Sequence, residues 1–418
     1  MFTSFSTALS ALSALSTGVD VVGNNLANLN TPGFKTSVVS FHDLVTQSVG
    51  AGLGETQVGF GVARPVTLRQ FSQGAIQASS GALDAAIQGD GFFVLRDSGG
   101  AILYTRGGNL QVDKAGNLVT STGESLMGWF DIGGAVDTNK AIGNIVIPVG
   151  TLKPPKATTS FSADLNLDSS AVAGDKFSTP LRAYDSLGNE HVLTITFTRN
   201  ATPGTWDLSV TLPGEEVQGG TAGTPFSVNL TPASISFDSN GALTAPASPD
   251  GIKLDAIPLA NGAADLDLTW DLYTPAGAAR LTQFAQASAV SANEQDGWAA
   301  AQMTRVGIGD GGKILAQYSN GQQTVVGQLA LASIRNPESL IAVGNNNYQL
   351  SAKSATPAIG LPGTGGRGQV LGGAVEFSTT DIAREFTNLI VLQRGYQANS
   401  RVVTAVDELS QETINLKR

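Results

Sequence analysis

Residues Asn24–Lys35 read NNLANLNTPGFK. Four asparagines fall within seven residues, at the end of an apolar stretch, and a Pro-Gly pair follows them. Upstream, Phe5, Leu12, Val19 and Leu26 recur every seven residues, and Leu15, Val22 and Leu29 follow three positions behind. That spacing predicts a helix with an a/d seam sustained over almost four heptads. Its other faces carry Ser, Thr, Gly and Asn where a solvated helix would carry Lys and Glu. On this frame Asn24, Asn25 and Asn28 lie outside the seam.

A helix packed on more than one side by copies of itself explains such a surface. Any charge there would sit beside its own copies and repel them in a partly dry setting. An amide both donates and accepts, and so bonds a neighbour without that repulsion. Thr31-Pro32-Gly33-Phe34 then suits a type II turn, with Pro at i+1 and Gly at i+2. Such a turn stops the helix and redirects the chain.

The other end of the chain matches the first. After Gly372-Gly373, FSTTDIAREF offers Ser378 or Asp381 as an N-cap. Ile382, Phe386, Leu389, Leu392, Tyr396, Val403, Val406 and Leu409 mark an apolar stripe with Asn399 inside it, and Lys417 and Arg418 close the helix where its dipole favours cations. A helix from Asp381 to Arg418 would run roughly 57 Å. The two terminal helices have nothing apolar to pack on except each other and copies of themselves.

Everything between reads as β-structure. The pattern D-x-x-G occurs at Asp97–Gly100, Asp113–Gly116, Asp185–Gly188 and Asp238–Gly241, each flanked by strand-forming residues. These are expected to be hairpin turns, with Asp bonding its own backbone and Gly taking a positive φ. KILAQYS (313–319) pairs with TVVGQLALA (324–332) in the same way. Composition shifts near 150 and 297, and 11 of the 17 prolines lie between those points.

The expected fold is therefore α+β, mostly β, with discontinuous nested domains. Residues 1–35 and 374–418 form a coiled-coil-like helical core, and 36–70 link it onward. Residues 71–150 and 298–373 make a β-rich middle domain, and 151–297 an inserted all-β outer domain.

Composition narrows the chemistry. The net charge of −10, on a chain with only 14% charged residues, argues against nucleic acid, which needs clustered Lys and Arg. With no cysteine, disulfides and thiolate chemistry are excluded. GIGDGG (307–312) and GTGGRG (363–368) fit a dinucleotide-loop pattern, but neither opens a helix, so both read as turns. The carboxylate pairs Asp265/Asp267 and Glu215/Glu216 have no basic partner nearby in sequence, and His191 reads as a strand-surface residue. No catalytic residue, cofactor or metal is expected. No basic n-region opens the chain, no apolar run approaches a membrane span, and the N-terminal helix lacks the Lys and Arg of an interfacial helix. Neither a cleaved signal nor membrane insertion is expected.

At this point the residues become recognisable. ALSALSTGVDVVGNNLANLNTPGFK (11–35) resembles the N-terminal signature of the bacterial flagellar rod and hook axial family. LIVLQRGYQANSRVVTAVDEL (389–409) and INLKR (414–418) look like its C-terminal signature. LDAAIQGDGFFVL (83–95) and YTRGGNLQVDKAGNLVTSTGESLMG (104–128) are similar to the part shared by rod and hook members. The long insertion, with STPLRAYDSLGNEHVLTITFT (178–198), points to the hook branch, the distal rod being the alternative and a secreted β-rich adhesin a more distant one.

The resemblance implies a homopolymeric, flexible curved tube on the outside of the cell that passes torque from rod to filament. Its implied partners are the distal rod protein at the base, the junction protein at the tip, a cap during assembly and the flagellar type III export apparatus. No enzyme activity is implied.

Overall fold

The computed structural model describes residues 2–44, 46–49, 56–130, 136–147, 150 and 152–415. It divides into two compact units, one of Met1–Val149, Arg305–Gln317 and Gln323–Arg418, the other of Gly150–Thr304 and Tyr318–Gln322.

The first unit holds both long helices. α1 spans Phe2–Ala27 and α2 spans Ile382–Asn415. Asp381 caps α2: its Oδ1 accepts from Arg384 N at 3.1 Å and its carbonyl from Glu385 N at 3.0 Å. Ser378 bonds Thr380 instead. Lys417 and Arg418, expected to close the helix, lie outside the described residues.

The helices approach closely because small residues stand at the contact. A Cβ on Gly18 would come within 3.0 Å of Leu392 Cδ2, and one on Gly395 within 3.4 Å of Leu15. Residues 36–70 are more than a link. Ser37–Ser40 pairs antiparallel with Val66–Arg69, and Thr46–Val49 with Thr56–Gly59. This arm returns to α1, where Val62 N donates to Ser10 Oγ at 3.2 Å.

The β part of this unit is a mostly antiparallel sheet in which Phe92–Arg96 pairs with both Ile102–Thr105 and Ser125–Phe130. Phe92, Val94, Tyr104, Met127, Ala332 and Tyr348 fill one core cluster, with Phe71 set edge-on to Phe92 and Tyr348.

The second unit is a two-sheet structure with one shared core. Lys176–Tyr184, Glu190–Arg199 and Thr205–Pro213 form consecutive antiparallel pairs. In the other sheet Ser160–Asp168 is central, antiparallel to Ala289–Gln295 and parallel to Leu281–Phe284. Alternate residues point inward, as period-two burial requires. Leu181, Leu193, Phe197, Trp206 and Val210 from one sheet meet Phe161, Leu165, Leu167 and Trp270 from the other.

All four D-x-x-G segments are turns. In each the Gly N–H donates to the Asp carbonyl, at 3.0–3.1 Å, and the Gly φ lies between 76° and 89°. Each Asp Oδ1 accepts, at 2.8 Å, from the backbone N–H four residues on. GIGDGG is a tight turn leading into the strand Lys313–Tyr318, which pairs with Gln323–Leu329.

His191 corrects its surface reading. It is buried, with Nδ1 2.5 Å from Glu216 Oε2 and Nε2 3.2 Å from Asp185 Oδ2. The strand alternation turns it inward, and the Asp185 turn meets it there. Burial works to raise the Asp185 pKa, but hydrogen bonds from Asn189 and Asn261 and from the turn backbone overcome it and hold the carboxyl well below the usual range.

A folded-state pKa below the unfolded one contributes stability that is complete above the ordinary value of 3.8 and is lost as pH falls through the depressed one. Asp185→Asn is expected to cost about 2 kcal/mol at pH 7. The gap from wild type should close steadily below about pH 4. Thermal melts of the two full-length chains from pH 7 to 2 check this, and a gap that widens on acidification would refute it.

Candidate assembly interface

The residues expected to form the helical interface fall into separate groups. In α1, Val22 is buried, Leu12, Leu15, Val19 and Leu26 are half-buried, and Leu29 in the following turn is also half-buried. In α2, Leu389, Leu392, Gly395, Asn399, Val403 and Val406 are half-buried, at steps of three or four. These make the intrachain pair. Phe5, Ile382, Phe386, Tyr396 and Leu409 stay 40–54% exposed and make no such seam. Four positions the heptad frame passed over, Ala8, Ala14, Gly18 and Asn25, are the most buried of α1 along with Val22. Gly18 faces both Leu392 of α2 and Phe41 of the arm, which leaves little room for a side chain there.

At roughly 100° per residue, the exposed apolar groups flank the α2 seam on both sides. Ile382 and Phe386 share one flank, and Val391, Val402 and Leu409 the other. Arg394 and Arg401, seven residues apart, stand on the back. One partner helix cannot cover so broad an apolar belt.

The asparagines divide too. Asn25 is only 1% exposed, and its amide grips the returning chain: Nδ2 donates to Ser37 O at 2.8 Å and Oδ1 accepts from Ser37 N at 3.0 Å. This corrects its assignment to contacts between copies, since both ends of the amide are used inside one chain. Asn28 Nδ2 donates to Asn24 O at 2.9 Å, its Oδ1 accepts from Thr31 Oγ1, and Asn24 is exposed.

The turn follows. Phe34 N donates to Thr31 O at 3.2 Å across Pro32 and Gly33, with Gly33 at φ 70°. A Cβ on Gly33 would lie 2.6 Å from the Arg106 carbonyl carbon, so both conformation and space demand glycine.

Directly after this turn lies a buried ionic cluster that the sequence did not signal. Glu376 Oε1 accepts from Lys35 Nζ at 2.6 Å and from Gly74 N at 2.7 Å. Arg106 Nη1 lies 3.4 Å from Glu376 Oε2, and its Nη2 donates to Gly89 O at 2.8 Å. Lys35 Nζ also donates to Ser72 O at 2.6 Å. All three charged side chains are at most 3% exposed. Burial pushes the Lys35 pKa down, with Glu376 pulling the other way, and burial does the same to Arg106. The three residues come from positions 35, 106 and 376, so no local pattern could have announced them.

By length and composition alone Ser4–Ala27, with a mean hydropathy of 1.3, is apolar enough to cross a membrane, which corrects the reading that no stretch approaches that length. In this fold its buried side packs on α2 and the arm.

Comparison with known proteins places this architecture. Residues 5–35 match the family described as Flagella basal body rod protein, and 371–416 match Flagellar basal body rod FlgEFG protein C-terminal. Residues 86–164 match Flagellar hook protein FlgE/F/G D1 domain, and 155–298 match Flagellar basal body protein FlaE D2 domain. The class is thus that of structural axial proteins of the bacterial flagellum.

Whole-chain relatives narrow it. Flagellar hook protein FlgE of Borreliella burgdorferi is 32% identical, and that of Treponema pallidum 33%, each over all of both chains. That of Escherichia coli is 31% identical over 99% of this chain and all of its own. The chain belongs to the flagellar hook protein family, and is a structural subunit of the hook. The crystal structure of Helicobacter pylori flagellar hook protein FlgE2 superposes with a TM-score of 0.52, covering 71% of this chain and 99% of its own; at 14% identity that likeness concerns the fold alone.

Removing the anion of the buried cluster leaves two cations without it. Glu376→Gln is expected to destabilise the first unit by about 3–5 kcal/mol. Denaturant titration of the full chain reads this, and a loss below about 1 kcal/mol would show that the cluster is not what ties 35, 106 and 376 together.

Proposed function

We propose that this hook subunit polymerises through α1 and α2 into a flexible tube on the outside of the cell. The observation carrying this reading is the breadth of the apolar belt on α2, which α1 leaves open along both flanks. Copies on either side would bury it, at about 25 cal/mol per Å² of apolar surface removed from water. The charge-poor surface of α1, with Asp20 as its one ionisable residue, lets copies approach without mutual repulsion.

In this reading the chain leaves the cell through the flagellar type III export apparatus without a cleaved signal. It adds at the growing tip beneath a cap, meets the distal rod protein at the base and meets the hook–filament junction protein at the tip. Residues 151–297, rich in Thr, Ser, Asp and Gly, supply the wet, interchangeable contacts between copies that a bending joint needs.

Three experiments test it. Deleting residues 1–30 is expected to abolish polymer, whereas an adhesin or enzyme would survive the loss. Electron microscopy of basal bodies from a strain lacking the gene should show complete rods with no hook. Rods that stop short would move the protein to the distal rod, and normal flagella would refute the reading. Truncating 151–297 should leave a stiffer or straighter tube, and complete loss of polymer would overturn the role given to that segment.

A further inference from the structure

Glu385 is the one charged side chain on α2 that the fold buries, at 6% exposure. Its Oε2 is sealed from solvent and has no hydrogen-bond partner. Arg384 and Asp381 line the same opening, but neither is bonded to this carboxylate: the Asp381 side chain accepts from Arg384 N at 3.1 Å. Among the described residues no ion pair or hydrogen bond reaches its carboxylate from α1, the arm or the rest of α2, although an unpaired buried carboxylate is costly. Beside it opens a groove of about 330 Å³ lined by Glu385, Leu392 and Val391 of α2, Gly18 and Val22 of α1, and Phe41 of the arm. The groove therefore joins a buried, unanswered negative charge to the open apolar flank that carries Val391.

We propose that this groove is a socket for an arginine of a second copy of the chain, from the Arg394–Arg401 face of its α2. Arg394 and Arg401 lie seven residues apart on the side of α2 turned away from α1, and neither has an ion-pair partner among the described residues. A guanidinium presents several donors in a plane and is desolvated more cheaply than an ammonium, which suits a half-apolar slot ending in a carboxylate. The contact is heterologous: socket on one copy, arginine on the next. A contact of that kind propagates a helical assembly instead of closing a dimer. It also sets a register, because the apolar flanks alone would tolerate sliding by a turn whereas a buried charge is satisfied at one position.

The inference rests on the polymerisation reading and makes an opposite-sign prediction about the monomer. In the free chain Glu385 is a burden, so Glu385→Gln should leave its melting temperature unchanged or raise it by a few degrees. In the polymer the same change removes one side of a buried charge pair, and the critical concentration for polymerisation should rise roughly thirtyfold or more. Arg394→Glu and Arg401→Glu identify the occupant: one of them should block polymerisation alone and recover it when combined with Glu385→Arg.

Wild-type chain that forms no polymer would sink the polymerisation reading itself. Wild-type and Glu385→Gln chains that polymerise alike would sink only the socket. A defect in Glu385→Gln accompanied by a lower melting temperature would make Glu385 a structural residue of the monomer and overturn the proposal. A defect that neither arginine reversal rescues would overturn the assignment of the arginine.

Discussion

Glu376 holds the two ends of this chain in one place. Its carboxylate takes Lys35, which follows the N-terminal helix, and Arg106, which belongs to the sheet, and its own backbone carbonyl accepts from Gly33 at 2.7 Å. Without this knot, a turn after α1 and an extended approach to α2 would be two unrelated loops 341 residues apart in sequence. A buried pair of this kind is a poor source of net stability, because desolvation consumes most of the Coulomb gain. What it offers is uniqueness of geometry, since the carboxylate meets both cations in one arrangement and a slipped one would strand a charge. The helices leave the sheet at a defined place as a result, and Asn25 and Thr380 then align them: Thr380 Oγ1 donates to Asn25 O at 3.2 Å.

From that fixed root the helices pair by small residues and half-buried branched ones. Close approach at Gly18 and Gly395 uses up the side of α2 that faces α1 and leaves its flanks open. The pair is thus complete as a fold and incomplete as a surface. The same division appears in the hydrogen bonds, where Asn25 is spent within the chain and Asn24 remains at the surface.

How far this was legible depends on the range of each interaction. The D-x-x-G turns were plain because their bonds close within four residues. The heptads of α1 and the apolar stripe of α2 announced two long helices, but such a pattern reports only that a residue is apolar and periodic. It does not say whether its partner is the other end of the same chain or another chain, and so Leu392 and Phe386 looked alike. Ala8 and Gly18 were missed because the value of a small residue lies in the approach it permits, which is a property of the neighbour. Lys35, Arg106 and Glu376 were invisible for a related reason: each is an unremarkable charge until the fold places the other two beside it. His191 was misread because strand alternation gives two faces, and the choice between them rested on a carboxylate six residues earlier.

The helical joint carries almost no exposed charge between its members. Apart from Asp20, the buried Glu385, and Asp381 and Arg384 at the start of α2, the stretch where α1 meets α2 is methyl groups, hydroxyls and neutral amides. Salt acts on exposed charges over a Debye length of about 8 Å at physiological strength, and there is little here for it to screen. Apolar contact, in contrast, tightens as water warms from the cold. A seam built this way is indifferent to whether the surrounding water is fresh or briny, and its cohesion is set by temperature more than by the ions outside.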